Sequence, residues 1–201
     1  MSRLFFYYLT LKIKIMKKKT PVIFLQGKRL YLRPLDLSDL SLVQRFVNDP
    51  DVRKYLSSTY PLSKGDEEEW IKRVSSRNPN NIVLAVVLKK DNKFLGTMGL
   101  HRIDYVSGIA CTGSMLGAKE EWNKGYAREA KMLLLEYAFM TLNLRKICSD
   151  AFAKNKGSIK HNQNCGYKVE GVLKRHHYRD GKYHDQVLLS VFKRDWLKLR
   201  K

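Results

Sequence analysis

The order of elements between Ile82 and Phe152 restricts the fold more than any other feature of the sequence. Ile82–Leu88 is rich in Val, Ile and Leu, and Phe94–Asp104 and Ile109–Gly117 read as further strands. Asp91-Asn92-Lys93 and Ser107-Gly108 are the turns between them. Connections that short pair neighbouring strands antiparallel. A helical period takes over from about Gly125 to Thr141, with Ala127, Ala130, Leu134 and Ala138 on its apolar stripe. Lys146–Phe152 is again a strand, and a strand reached through a helix returns parallel to its predecessor. A meander joined to a strand–helix–strand crossover gives an α/β (α+β) mixed sheet with helices on both faces. In such sheets ligands favour the carboxyl ends of the parallel strands.

The remaining elements fit around this frame. Arg29–Arg33 alternates polar and apolar residues and ends at Pro34. Ser38 is placed to cap a helix through Leu40, Val43 and Phe46, which Asn48-Asp49-Pro50 stops. Ser63 to Asp66 resembles a capping box, and Glu67, Glu68 and Glu69 fall in the first turn, where the helix dipole favours negative charge. That helix runs to about Arg77. Ser158–Cys165 is a short helix, and Lys168–His176 with His184–Phe192 forms a last hairpin turning at Arg179 to Lys182. The sheet is thus expected to have six to seven strands. No repeat or linker divides the chain, so residues 22–201 read as a single domain. Residues 1–21 form a basic-apolar extension. Its apolar run is too short to span a membrane and has no small-residue cleavage site. Met16 before Lys17-Lys18-Lys19 resembles a second translation start, so the extension is either a start-site artefact or a peripheral anchor or extra strand.

Charge narrows the partners. The chain has 39 Lys and Arg against 19 Asp and Glu, a net +20, and residues 145–201 hold fifteen of the basic residues but five of the acidic ones. Such a surface favours nucleic acid, phospholipid or a phosphate-rich small molecule. No RNP, KH or helix-turn-helix pattern is present. Cys111, Cys148 and Cys165 are odd in number and lack CxxC spacing, which excludes a disulfide scaffold and an ordinary zinc module and points to a reducing, cytoplasmic compartment. His176, His177 and His184 fit no metal-ligand spacing, so no metal site is expected.

The chemistry concentrates between Gly117 and Ala130, where a strand ends, a loop turns and a helix opens at Gly125. The first amides of a helix have no intrahelical partner, and the dipole adds positive potential, so the turn is an anion site. Gly125 permits close backbone approach, Ala127 keeps the first turn low, and Lys124 and Arg128 add charge. A pyrophosphate suits such a loop; a plain strand-to-helix turn is the alternative. The spacing is neither a Walker loop nor a dinucleotide fingerprint.

Trp122-Asn123-Lys124-Gly125-Tyr126-Ala127-Arg128-Glu129-Ala130 resembles the pyrophosphate loop of the GNAT (GCN5-related) N-acetyltransferases, most of all the RimJ/RimL ribosomal-protein branch. Arg29–Leu35, Asn48–Val52, Phe94–Leu100, Leu142–Ile147, Asn155–Ser158, Cys165–Gly171 and Asp180–Asp185 resemble other family segments in order, over about residues 28–197. The resemblance implies acetyl-CoA in a wedge where a splayed parallel pair, the strand ending near Gly117 and Lys146–Phe152, opens. Main-chain groups of Met115, Leu116 and Gly117 would meet the pantetheine and thioester. Amides of Asn123, Lys124, Gly125, Tyr126, Ala127 and Arg128 would hold the pyrophosphate. Asn155 would bond the pantetheine, and Ser158 would cap the next helix. An acceptor amine would attack the thioester directly, with a base and an acid.

One departure concerns the acid. Many family members carry Tyr seven residues after the Asn, and here that position is Asn162. Water, Ser158 or Tyr178 remain as acids, and Glu120 or Glu121 as bases. The expected function is acetyl-CoA-dependent N-acetylation of a primary amine, first a protein N-terminus. The alternatives are a small amine (polyamine, amino sugar or antibiotic) or a non-catalytic RNA- or ribosome-associated module. The acidic run Asp66–Glu69 is either helix-terminal charge or a polyamine patch. The oligomeric state is left open, a dimer included.

Overall fold

The computed structural model describes residues 21–200, so the expected N-terminal extension lies, but for Pro21, outside the described residues. Eight strands form one sheet: β1 Leu25–Gln26, β2 Leu30–Pro34, β3 Ile82–Leu88, β4 Phe94–Asp104, β5 Ile109–Leu116, β6 Lys146–Phe152, β7 Lys168–Arg179 and β8 Lys182–Phe192. Their spatial order is β1-β2-β3-β4-β5-β6-β8-β7. The six to seven strands expected become eight because β1, two residues long and too short to show a period, pairs with Leu32 and Tyr31 at the sheet edge. The last hairpin is longer than expected. Asp180 and Gly181 both take positive φ, 53° and 77°, which is a two-residue turn that matches strand twist and lets pairing run up to Arg179 and Lys182.

The helices are α1 Leu40–Asn48, α2 Pro50–Arg53, α3 Lys64–Ser75, α4 Tyr126–Glu136, α5 Lys156–Asn164 and α6 Lys193–Leu199. Ser38 does not cap: Asp36 caps a preceding 3₁₀ turn, and its carboxylate accepts from the Ser38 amide. Asp49 ends α1 and restarts the chain, because its carboxylate accepts from the Asp51 and Val52 amides with Pro50 in the first turn of α2. The Ser63–Asp66 capping box forms as expected, though α3 ends two residues before Arg77. A π turn over Tyr137–Thr141 continues α4. α6 is not among the expected elements; its one core residue, Trp196, is buried against Phe139 at 5.4 Å.

β5 and β6 are the parallel pair, and they stay together for three positions: Ile109 with Lys146, Ala110 with Ile147, and Cys111 with Cys148. Beyond Cys111 they part, while β6 keeps seven register pairs with β8 on its other side. Successive residues of β5 face opposite sides of the sheet. Met115 faces α1 and α3; Thr112, Ser114 and Leu116 face the opening above α4. No helix among the described residues is long and apolar enough to cross a membrane.

Candidate active site

The parted strands open a cleft of about 740 Å³. The Gly117 amide donates to the Leu95 carbonyl of β4 at 2.9 Å. By strand alternation the main-chain groups of Leu116 and Ser114 then turn away from β4, toward the opening, whereas those of Met115 and Gly117 face β4. The Leu116 carbonyl already accepts from Trp122 Nε1 at 2.7 Å, which leaves its amide. Trp122 therefore fixes the loop to the strand end rather than serving as free surface.

The loop uses two left-handed residues, Asn123 (φ 62°) and Gly125 (φ 80°), to aim the start of α4 at the cleft. Gly125 supplies no side-chain cap, so the amides of Tyr126, Ala127 and Arg128 face outward without intrahelical acceptors. Arg29, on the approach to β2, braces this turn. Its guanidinium donates to the Lys124 carbonyl at 2.9 Å and to the Glu129 carboxylate at 2.8 Å, its amide donates to Glu129 at 2.7 Å, and it lies 4.6 Å from the Tyr126 ring centre. Burial works against the Glu129 carboxylate, but the Arg29 amide and guanidinium outweigh it and hold its pKa below the usual value. Arg128 Nε donates to the Asn164 carbonyl at 3.2 Å, tying α4 to α5.

Glu121, a candidate base, is held by Lys93 and Lys124, each at 2.9 Å, and these bonds push its pKa down to about 2. Glu120 pairs with Lys93 at 2.7 Å and is also lowered. Carboxylates so stabilised are poor proton acceptors at neutral pH. Tyr178 is 61% exposed at the hairpin tip, packed on Tyr183 and outside the cleft lining. His177 and His184 pack around Phe152, with His176 against His177. Among the described residues no three potential metal ligands come together.

Ser158 and Asn155 do line the cleft, with their roles redistributed. Asn155, not Ser158, caps α5: its Oδ1 accepts from the Ser158 amide at 3.0 Å. That leaves the Asn155 Nδ2 donor for a ligand. Below them lies a polar floor that the apolar-stripe reading of α4 passes over. Lys131 is 1% exposed; its Nζ donates to Asn162 Oδ1 at 2.9 Å and Thr112 Oγ1 at 3.2 Å and sits over the Tyr167 ring. Burial pushes its pKa down to about 8. Beside it, burial and then the Lys131 charge push His161 down to about 3, so its ring is neutral. Its buried Nε2 has no partner in the protein. An orphaned polar atom, a free Asn155 amide and a row of unpaired helix amides in one cleft fit a long polar ligand with a pyrophosphate at one end, as acetyl-CoA is.

Behind β5 a second cavity of about 420 Å³ lies between α1 and α3. Val43, Trp70, Thr97 and Met115 line it, and Asp66, Glu67 and Glu69 give it acidic walls. Thr97 and Met115 are cross-strand partners, and Leu116 next to Met115 lines the first cleft, so β5 is the common wall of both cavities.

Comparison with known proteins agrees with this geometry. Residues 29–168 match the family described as acetyltransferase (GNAT) domain. An uncharacterized N-acetyltransferase, p20, of Bacillus licheniformis is 29% identical over 86% of this chain and 97% of its own. Spermidine N(1)-acetyltransferase of Vibrio cholerae is 25% identical over 85% of this chain and 97% of its own. A crystal structure of spermidine N-acetyltransferase from Vibrio cholerae with CoA and spermine superposes with a TM-score of 0.77 at 25% identity, over 84% of this chain and 98% of that one. With its splayed parallel pair, its amide-lined loop and this family match, the chain belongs to the GNAT acetyltransferases, enzymes that move an acetyl group from acetyl-CoA to an amine.

Proposed function

We propose that the protein N-acetylates a small cationic primary amine of the polyamine type, and that residues 22–201 are its catalytic unit. One observation carries this reading: β5 separates an amide-lined cleft suited to a pyrophosphate from a cavity walled by Asp66, Glu67 and Glu69, suited to an ammonium group. The relatives named for spermidine support it. In this reading the amides of Tyr126 to Arg128 hold the pyrophosphate, and Leu116 and Asn155 meet the pantetheine. The amine nitrogen then forms a bond to the thioester carbonyl carbon, the carbon–sulfur bond breaks, and the thiolate leaves. A protein N-terminus, as in the RimJ/RimL branch, is the second reading. It is favoured by the basic excess over residues 145–201, which suits an approach to ribosomal RNA.

The test is calorimetric titration with acetyl-CoA, followed by acetyl transfer to spermidine, spermine and a peptide with a free α-amine. Saturable binding at one site with transfer to the polyamines is expected. Absence of acetyl-CoA binding sinks the reading, and transfer to the peptide alone moves it to the N-terminal class.

A further inference from the structure

We propose that Glu67 is the acceptor anchor and proton acceptor of this enzyme: its carboxylate pairs with the substrate ammonium in the cavity between α1 and α3 and takes the proton that must leave before the nitrogen can attack. The inference rests on the amine-acetyltransferase reading and names the residue that meets the amine.

Glu67 lies four residues before Ile71 and so shares its helical face, the one α3 buries. It is 5% exposed. Among the described residues its side chain makes no hydrogen bond or ion pair, and its carboxylate oxygens are not sealed in, so they open into the cavity rather than onto a protein donor. Its neighbours are already engaged. Asp66 accepts from the Ser63 hydroxyl and amide, and Glu68 pairs with Lys72 at 2.7 Å. Glu67 instead lines the cavity, as does Trp70 three residues on. A carboxylate and an aromatic ring in the wall of one cavity are a recognised setting for an ammonium ion. The other charged groups around the cavity are Asp66, Glu69 and Arg73, all from α3; α1, β4 and β5 contribute Val43, Val47, Thr97 and Met115, none of which titrates. Three carboxylates against one guanidinium favour a cation.

The chemistry follows from the protonation state. Burial, and then the Asp66 charge, raise the Glu67 carboxyl above its ordinary pKa, in contrast to Glu120 and Glu121. A raised pKa makes it the stronger base. The ammonium gives one proton to Glu67 and becomes a neutral amine. Its lone pair forms the carbon–nitrogen bond, the carbon–sulfur bond breaks, and the second nitrogen proton leaves with the thiolate as a thiol. Glu67 returns its proton to solvent, so the balance is ammonium plus thioester to amide, thiol and one proton.

The experiment titrates the full-length CoA-bound protein with spermidine and follows acetylation of spermidine from about pH 4.5, near the ordinary carboxyl pKa, upward to neutral and above, in wild type, Glu67→Gln and Glu67→Asp. In Glu67→Gln, spermidine affinity should fall at least about tenfold and kcat/KM about 100-fold, with acetyl-CoA affinity unchanged. The acidic limb of kcat/KM should disappear in Glu67→Gln and return in Glu67→Asp. Unaltered spermidine affinity in Glu67→Gln overturns the proposal, and so does a wild type that binds no spermidine. If that wild type still acetylates the α-amine peptide, the enzyme reading stands and Glu67 alone falls. If acetyl-CoA fails to bind, the enzyme reading falls, while spermidine binding in the variants still decides whether Glu67 is an ammonium site.

Discussion

The two cavities that share β5 are built in opposite ways. The cofactor cleft draws its anion-binding parts from one continuous stretch, Leu116 to Arg128, and its donors are main-chain amides fixed by backbone conformation. The acidic cavity draws single residues from α1, α3, β4 and β5, and its charges are side chains. A backbone-built site tolerates sequence change at most positions and fails only where the conformation itself is attacked. A side-chain-built site can change its ligand with one substitution. This contrast explains how one scaffold keeps its acetyl donor while its acceptor varies.

The sharpest way to break the contrast is Gly125→Glu. Its left-handed φ costs an L-residue about 1–2 kcal/mol, the new Cβ would meet the Arg29 guanidinium at 3.4 Å, and the carboxylate would repel a pyrophosphate. Acetyl-CoA affinity should fall more than about 100-fold by calorimetry, while spermidine binding persists. Loss of both ligands together would show that the two sites are not separable. Gly117→Ala tests the seam between them, because a Cβ there would overlap the Phe46 ring of α1, which itself stacks on Phe94 at 6.0 Å. Overpacking of this kind costs about 1–3 kcal/mol. It should be the one variant here that lowers thermal stability and weakens both ligands.

Arg29→Ala removes the brace of the turn but no amide. A roughly tenfold loss of acetyl-CoA affinity, about 1.4 kcal/mol, is expected with no change in KM for the amine. An amine effect of equal size would place Arg29 in the acceptor site instead. The smallest expected effect on ligand binding belongs to the floor of the cleft, whose signature is in the pH dependence of stability instead. Lys131 titrates near 8 when folded and at 10.5 when free. Between those values the unfolded chain holds more protons, so this group makes stability rise with pH across that window. Urea unfolding of Lys131→Met at pH 8 and pH 10 should show a flatter rise than wild type. An identical rise would mean that Lys131 does not titrate there.

Legibility in the sequence follows the same division. The meander, the crossover and the Gly125 loop are local, and each announces itself through alternation, turn residues or a helix start. Lys131 was open to the same arithmetic, since it sits four residues after Ala127 and three before Leu134, on the buried stripe. A charge on such a stripe is the signal, and reading the apolar positions alone skips it. Glu67 is harder to see. Its position among three consecutive glutamates suits helix-terminal charge, and only the packing of α3 against the sheet distinguishes it from Glu68. Asn155 and Ser158 are visible as residues, but which of them caps α5 depends on a start two residues earlier than Ser158. β1 is two residues of a tight hairpin with β2, too short to show a period, and α6 owes its place to Trp196 packing on Phe139, distant in sequence.

The short junction of β5 and β6 has a thermal consequence. Among the described residues, three register pairs join the half of the sheet that ends in β5 to the half that begins with β6. A ligand lying in that gap takes the place of missing rungs, and it can do so only in the folded state. At a concentration 100 times its Kd it adds about 2.7 kcal/mol of stability, worth roughly 2–4 °C of Tm for each kcal/mol in a chain of this size. With acetyl-CoA in that gap, as proposed, the stability of the fold rises and falls with the concentration of the protein's own acetyl donor.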